Sequence, residues 1–263
     1  MRVEPDLVYD VGLHDGSDTS YYLDLGYRVV AIDANPAMIE DGRVRFCDAI
    51  AARRLMLVHC AIGETEEIRP FWVSDHSTWS SFDEQLAKRD GTNATSITVR
   101  CRPFTDILRE FGVPHYLKVD IEGGEDSCIG GIAELATRPM YVSWEATYPR
   151  GIDQLRAMRD LGYSRFKIIR QNDFYPLLGS EAAHRRHLTQ WYLRCKRKWR
   201  KMSGDMKWEM GSKSSSSGSF GPATLGRWHP WHEVARRWRD HCELWLRSDS
   251  DLGEQWYDFH AAR

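Results

Sequence analysis

The sequence predicts an α/β fold: a mostly parallel seven-stranded sheet with helices on both faces and a helical or loop insertion before the last strand. Three observations carry the prediction. Short apolar runs alternate with helical patterns through the first 170 residues, as in a parallel sheet covered by crossover helices. Four of those runs end in an acid, namely Asp10, Asp33, Asp120 and Glu145. The rhythm then breaks after Ile169, and no clear strand returns until about residue 255.

Taken in order, Leu7 to Asp10 reads as the first strand, followed by a turn from Val11 to Gly16 and a helix through Tyr22. Arg28 to Asp33 is the second strand, and Pro36 opens the next helix with its fixed φ. Leu55 to Ala61 is the third, and 67–102 reads as strands and loops with polar interruptions. A helix at Phe104 to Phe111, a strand at Tyr116 to Asp120 and a helix from Glu125 to Leu135 follow. The sheet continues with a strand from Met140 to Glu145, a helix from Gly151 to Leu161 and a strand from Arg165 to Ile169. The expected organisation is a catalytic sheet over 1–170, an acceptor-binding cap over 171–254 and a final strand over 255–263. Within the cap, helices are predicted near 181–201 and 232–247, around a Ser-rich tract at 211–219.

Composition narrows the class. The chain has 263 residues, 42% hydrophobic and 28% charged, with a formal net charge of −2, so it is globular and has no global pull toward nucleic acid or anionic lipid. No apolar run approaches the ~20 residues of a membrane span, and Met1 to Asp10 does not read as a signal peptide. Six cysteines are scattered without a CxxC pair, which suits reduced thiols in a cytoplasmic protein. The eleven tryptophans are concentrated after residue 190, so the C-terminal third is expected to present aromatic surface.

The strongest local signal is Asp10-Val-Gly12-Leu-His14-Asp-Gly16. Gly12 allows a tight turn after the strand, and Gly16 removes a side chain where ligand and helix approach. A dinucleotide site would want G-x-G-x-x-G to bring amides onto a pyrophosphate; here an acid precedes Gly-x-x-x-Gly. Asp33 lies where an acid accepts hydrogen bonds from a ribose diol. A nucleoside carried without a pyrophosphate points to S-adenosylmethionine as cofactor. Either motif alone is compatible with an ordinary strand-to-helix turn.

Downstream, Tyr116-Leu-Lys118-Val-Asp120-Ile-Glu122-Gly-Gly-Glu125 resembles the signature of the FkbM-type methyltransferase family. The resemblance extends over 6–147 through the Asp10–Gly16 turn, Ile32-Asp33-Ala34-Asn35-Pro36, Ala61-Ile62-Gly63 and Ser80-Ser81. It implies a Rossmann-like class I methyltransferase fold that uses S-adenosylmethionine to methylate a hydroxyl on a small molecule, sugar or glycan. It also implies that Asp10, Gly12 and Gly16 line the methionine part and Asp33 the ribose. Ala34, Asn35, Ala61 and Ile62 would border the adenosine, Asp120 would sit nearest the reacting methyl, and Ser81 and Glu122 would face the acceptor.

Methyl transfer is an in-line displacement, so alignment and exclusion of water come first. An alcohol must also lose a proton to a positioned base; the candidates are Asp120, His14, Glu145 and His260. Carboxylates at strand tips suit Mg²⁺, but no ligand set is defined and no metal is assigned. Arg194 to Lys201 packs six basic residues into eight. As a solvated helix face it would have no specific role. As a docking site it would take an anionic acceptor, or RNA by phosphate contacts and stacking on Trp199. The sequence therefore leaves two other readings: an RNA or protein methyltransferase, and a non-catalytic cofactor-fold domain. No membrane partner is expected, and oligomeric state is not legible.

Overall fold

The structure, a computed structural model, describes all residues except 77, 78, 122, 173, 178–217 and 248–255. The strands are β1 (Val3–Val11), β2 (Arg28–Asp33), β3 (Leu55–His59), β4 (Ala61–Gly63), β5 (Glu67–Ser74), β6 (Ala94–Pro103), β7 (Val113–Val119), β8 (Tyr141–Glu145), β9 (Arg165–Arg170) and β10 (Tyr257–Ala262). Seven of them form one sheet in the order β3-β2-β1-β7-β8-β10-β9, and a second sheet has the order β4-β6-β5. The pairs β1–β2, β1–β7 and β2–β3 are parallel, and β9–β10 is antiparallel. This is the mostly parallel α/β architecture that the alternating pattern predicts.

The chain forms two compact units, Met1–Val142 and Ser143–Arg263. In the first, it steps outward from β1 to β3 and later returns to lay β7 on the other side of β1. β1 and β7 therefore flank a switch point, and ligand crevices open beyond the carboxyl ends of such strands. Both strands are buried on both faces: Leu7, Val8, Tyr9 and Val11 of β1, and Tyr116, Leu117 and Val119 of β7. Two charged residues interrupt these apolar runs, Asp10 and Lys118, and they are paired in the strand register.

Helices α1 (Ser17–Asp24), α2 (Pro36–Arg45), α3 (Cys47–Ala51), α4 (Glu84–Ala87), α5 (Phe104–Phe111) and α6 (Glu125–Ala133) complete this unit. Asn35 caps α2, its Oδ1 accepting the Ala37 amide at 3.0 Å, with Pro36 in the first turn. Such a cap satisfies one of the amides that a helix start leaves unpaired.

Three details differ from the sequence expectation. The single strand expected over 55–61 is two, because the chain changes sheet at Cys60, whose amide bonds Asp33 O at 3.1 Å. The 67–102 region contains an eight-residue antiparallel pairing, from Glu67↔Cys101 to Ser74↔Ala94. Val99 and Cys101 on one side are buried while Ser96, Thr98 and Arg100 are exposed, the period-2 signature of a sheet with one wet face. Finally, β1 continues one residue past Asp10, and Asp120 lies just beyond β7.

The second unit packs α7 (Arg150–Asp160) and α8 (Trp231–Arg247) with β9 and β10. Its core joins Trp144, Trp238 and Phe259, with ring centroids 5.5 Å apart for both pairs that include Phe259. Gly151 lets α7 approach, since a Cβ there would lie 2.6 Å from the Phe259 ring. No helix among the described residues is long and apolar enough to cross a membrane.

Candidate active site

The turn after β1 is shaped by positive φ at Gly12 (93°) and Gly16 (73°), with His14 also left-handed at 47°. The amides of Gly12 and Leu13 both donate to Ile32 O of β2, at 2.9 and 3.1 Å. A Cβ on Gly12 would fall 1.9 Å from the Asp120 carbonyl oxygen. Only glycine therefore lets the turn rest against the end of β7. At Gly16 the neighbour is Phe46, whose ring would lie 2.7 Å from a Cβ. The missing side chain at Gly16 leaves room for that ring.

Asp33 ends β2 with each carboxylate oxygen held by one backbone amide: Oδ2 by His14 at 2.9 Å and Oδ1 by Asn35 at 2.8 Å. Burial pushes its pKa up, and these two amides oppose that shift. Each oxygen can accept a further donor. Asn35, Ala34 and the Asp33 tip thus share one short segment, and Ala34 packs against the cluster of Ala61, Phe71, Val99 and Cys101. Ile62 is buried beside Ala61 in β4.

Beneath the turn lies a charged cluster. Lys118 Nζ is 3.0 Å from Asp10 Oδ1, 3.1 Å from Asp18 Oδ2, 3.2 Å from Gly12 O and 3.8 Å from Asp120 Oδ2. Thr19 adds its hydroxyl to Asp10 Oδ2 at 2.6 Å. Burial by itself would lower the Lys118 pKa, but the three carboxylates overrule it and hold the ammonium well above its ordinary value. Desolvation pushes the Asp10 carboxyl up to about 6, with the Lys118 charge opposing. The side chains of Asp10 and Asp18 are 0% and 5% exposed, against 29% for Asp120. One of the three acids therefore keeps a face toward solvent.

The structure brings Asp10, Gly12, His14, Gly16, Asp33 and Asp120 to one sheet edge around this turn. Asp10 points inward, to Lys118 and Thr19. His14, with its side chain 39% exposed, lies 3.8 Å from Asp15. Ser81 is buried, exchanging backbone hydrogen bonds with Trp72 and accepting the Asp83 amide on Oγ. Glu145 and His260 belong to the second unit. Glu145 ends β8 partly buried, and His260 lies inside β10 at 2% exposure, where desolvation and then Lys167 lower its pKa to about 3. Glu122, Trp199, the basic segment 194–201 and residues 212–217 of the Ser-rich tract lie outside the described residues. Among the described residues, no group of three or more His, Cys, Asp or Glu is arranged to hold a metal ion.

Lys118, Asp18 and Thr19 were not read from the sequence as site residues. The signal for Lys118 was present: a lysine inside a run that must be buried on both faces needs carboxylate partners nearby. Asp18 and Thr19 carry no such signal, being ordinary residues for the first turn of a helix.

The chemistry of this edge suits an adenosyl cofactor. A carboxylate with open lone pairs terminates β2, a glycine turn with no phosphate-binding pattern adjoins it, and a partly exposed acid lies at the central strand tip. The profile of the methyltransferase FkbM domain matches residues 10–165, more than half of the chain. No curated protein matches the sequence. Among solved structures, it is similar to precorrin-6y C5,15-methyltransferase from Geobacter metallireducens at 13% identity, over 66% of this chain and 73% of that one, with a TM-score of 0.38. It is also similar to precorrin 8w decarboxylase from Methanobacterium thermoautotrophicum at 16% identity, covering 64% and 70%, with a TM-score of 0.38. Phosphoethanolamine N-methyltransferase 2 from Haemonchus contortus, in complex with S-adenosylhomocysteine, aligns at 10% identity over 100% of this chain and 49% of that one, with a TM-score of 0.38. The family match rests on the segment that builds the site just described, and the chain belongs to the FkbM family of S-adenosylmethionine-dependent methyltransferases.

Proposed function

We propose that the protein is an O-methyltransferase acting on a hydroxyl of a small molecule, sugar or glycan, with Asp120 as the base. The observation that carries this reading is the different exposure of three acids around one lysine: Asp10 and Asp18 are shut in, and Asp120 keeps an open face. Asp33 would accept the ribose hydroxyls, the Gly12–Gly16 turn would line the amino-acid end, and Asn35, Ala61 and Ile62 would border the adenosine. When bound, the cofactor supplies a methyl group on a sulfonium. The chain's own tasks are to orient the acceptor hydroxyl and to receive its proton at the Asp120 carboxylate. General-base assistance of this kind contributes about 10²–10⁴-fold.

The test separates binding from chemistry. Purified protein is titrated calorimetrically with S-adenosylhomocysteine, then assayed for its release from S-adenosylmethionine against a panel of hydroxyl-bearing acceptors. Asp120→Asn is expected to retain measurable S-adenosylhomocysteine binding and to lose about 10²-fold or more in rate. An unchanged rate in that variant rejects Asp120 as the base.

An RNA acceptor is the second reading, and charge favours it. Residues 1–142 carry 14 Lys+Arg and 24 Asp+Glu, a net of −10, whereas 143–263 carry 22 and 14, a net of +8. Phosphate contacts would make binding weaken steeply with salt, so a salt-dependent shift of RNA in a gel selects this reading and its absence removes it.

A further inference from the structure

The family and the proposed base leave Lys118 without a role beyond balancing buried charge. Its contacts show more than balance. Nζ reaches three separate pieces of chain: the Gly12 carbonyl in the turn, Asp18 in the first turn of α1, and Asp120 beyond β7. The peptide unit between Gly12 and Leu13 is held from both sides. Its amide, on Leu13, donates to Ile32 O of β2 at 3.1 Å, and its carbonyl, on Gly12, accepts Lys118 Nζ at 3.2 Å. A glycine at positive φ has many backbone states open to it, and a turn built on one is selected by whatever fixes its peptide planes.

We infer that Lys118 is a positioning residue, whose ammonium fixes the Gly12–Leu13 peptide and the Asp120 tip in the one arrangement that receives the cofactor. This rests on the reading of the turn and Asp33 as the cofactor cradle. The amides that follow the pinned peptide are the ones that matter, since His14 N holds Asp33 Oδ2. A turn released at Gly12 therefore releases one of the two amides that orient the Asp33 carboxylate. The rival account is that Lys118 only neutralises Asp10 and Asp18, and any charge-balanced replacement would then serve as well.

The triple variant Lys118→Met with Asp10→Asn and Asp18→Asn separates the two accounts, with the double variant Asp10→Asn and Asp18→Asn, which keeps the lysine, as its reference. The triple variant removes the ammonium together with the two buried carboxylates that it neutralises, and the replacements are close in size to the originals. Asp10 and Asp18 are changed in both proteins, so the difference between them belongs to Lys118. Binding of S-adenosylhomocysteine is measured by calorimetry, and amide hydrogen exchange is followed at Leu13 and His14. The expected result is a folded triple variant with affinity roughly tenfold or more below its reference and faster exchange at both amides. A folded triple variant that binds as tightly as its reference overturns the proposal. A triple variant that does not fold also overturns it, because the ammonium then belongs to the core and not to the turn. Failure of the wild type to bind S-adenosylhomocysteine is a distinct result, and it removes the cradle reading itself.

Discussion

Each unit of this protein buries a lysine on a strand to the same depth, 2% exposed, and surrounds it differently. Lys118 of β7 is set among Asp10, Asp18 and Asp120. Lys167 of β9 donates to the Thr224 carbonyl at 2.8 Å, lies 4.3 Å from the Trp228 ring centroid, and has His260 as its cross-strand partner. In the first case ionised groups are gathered around the cation. In the second, a neighbouring base is kept uncharged beside it, with the His260 pKa lowered to about 3. Gathered carboxylates leave net negative charge at the sheet edge where β1 turns. That contrast is why the first lysine belongs to a candidate active site and the second reads as part of a core.

The largest expected effect separates the two directly. Lys118→Met leaves Asp10 and Asp18 buried without their counter-ion and is expected to cost about 3–5 kcal/mol in denaturant unfolding. Lys167→Met strips a donor from a carbonyl and is expected to cost about 1–3 kcal/mol. Equal losses would break the contrast.

Next in size is a pH effect confined to the second unit. A histidine whose folded pKa lies below its unfolded value of 6.5 binds more protons unfolded than folded between about 3 and 6.5. Stability is then fully present above pH 6.5 and falls as the pH drops through that window, by about 2 kcal/mol at pH 5. The loss of stability between pH 7.5 and 5 should be about 2 kcal/mol larger in wild type than in His260→Leu. If the two proteins lose stability in parallel, His260 is not the acid-sensitive group.

The smallest effect sharpens the description of the first unit. Thr19→Val removes the hydroxyl that Asp10 accepts at 2.6 Å and should cost about 1–2 kcal/mol. It should leave S-adenosylhomocysteine affinity near wild type, because Lys118 still holds Gly12 and Asp18. A large affinity loss here would place Asp10, not Lys118, at the centre of the cluster.

The sequence pattern carried some parts of this picture and not others. β2 and the start of α2 are local: an apolar run, an acid, then a proline with its fixed φ state their own boundaries. The antiparallel pairing of β5 with β6 was less legible, because the partners are far apart in the chain and only one face of β6 is buried. His260 stands in the sequence as a candidate base, and its burial depends on the β9 partner that strand pairing brings beside it.

What the sequence alone determined is the alternating parallel fold, the family and the acid at the end of β2, since each rests on residues close together in the chain. Tertiary structure decided which acids face inward. Asp10 and Asp120 look alike as acids at strand ends, yet one is closed against Lys118 and the other is partly open. The physical reason is that burial of a carboxylate is set by the neighbours that enclose it. Those neighbours come from α1 and β7, which lie beside β1 only in the folded chain.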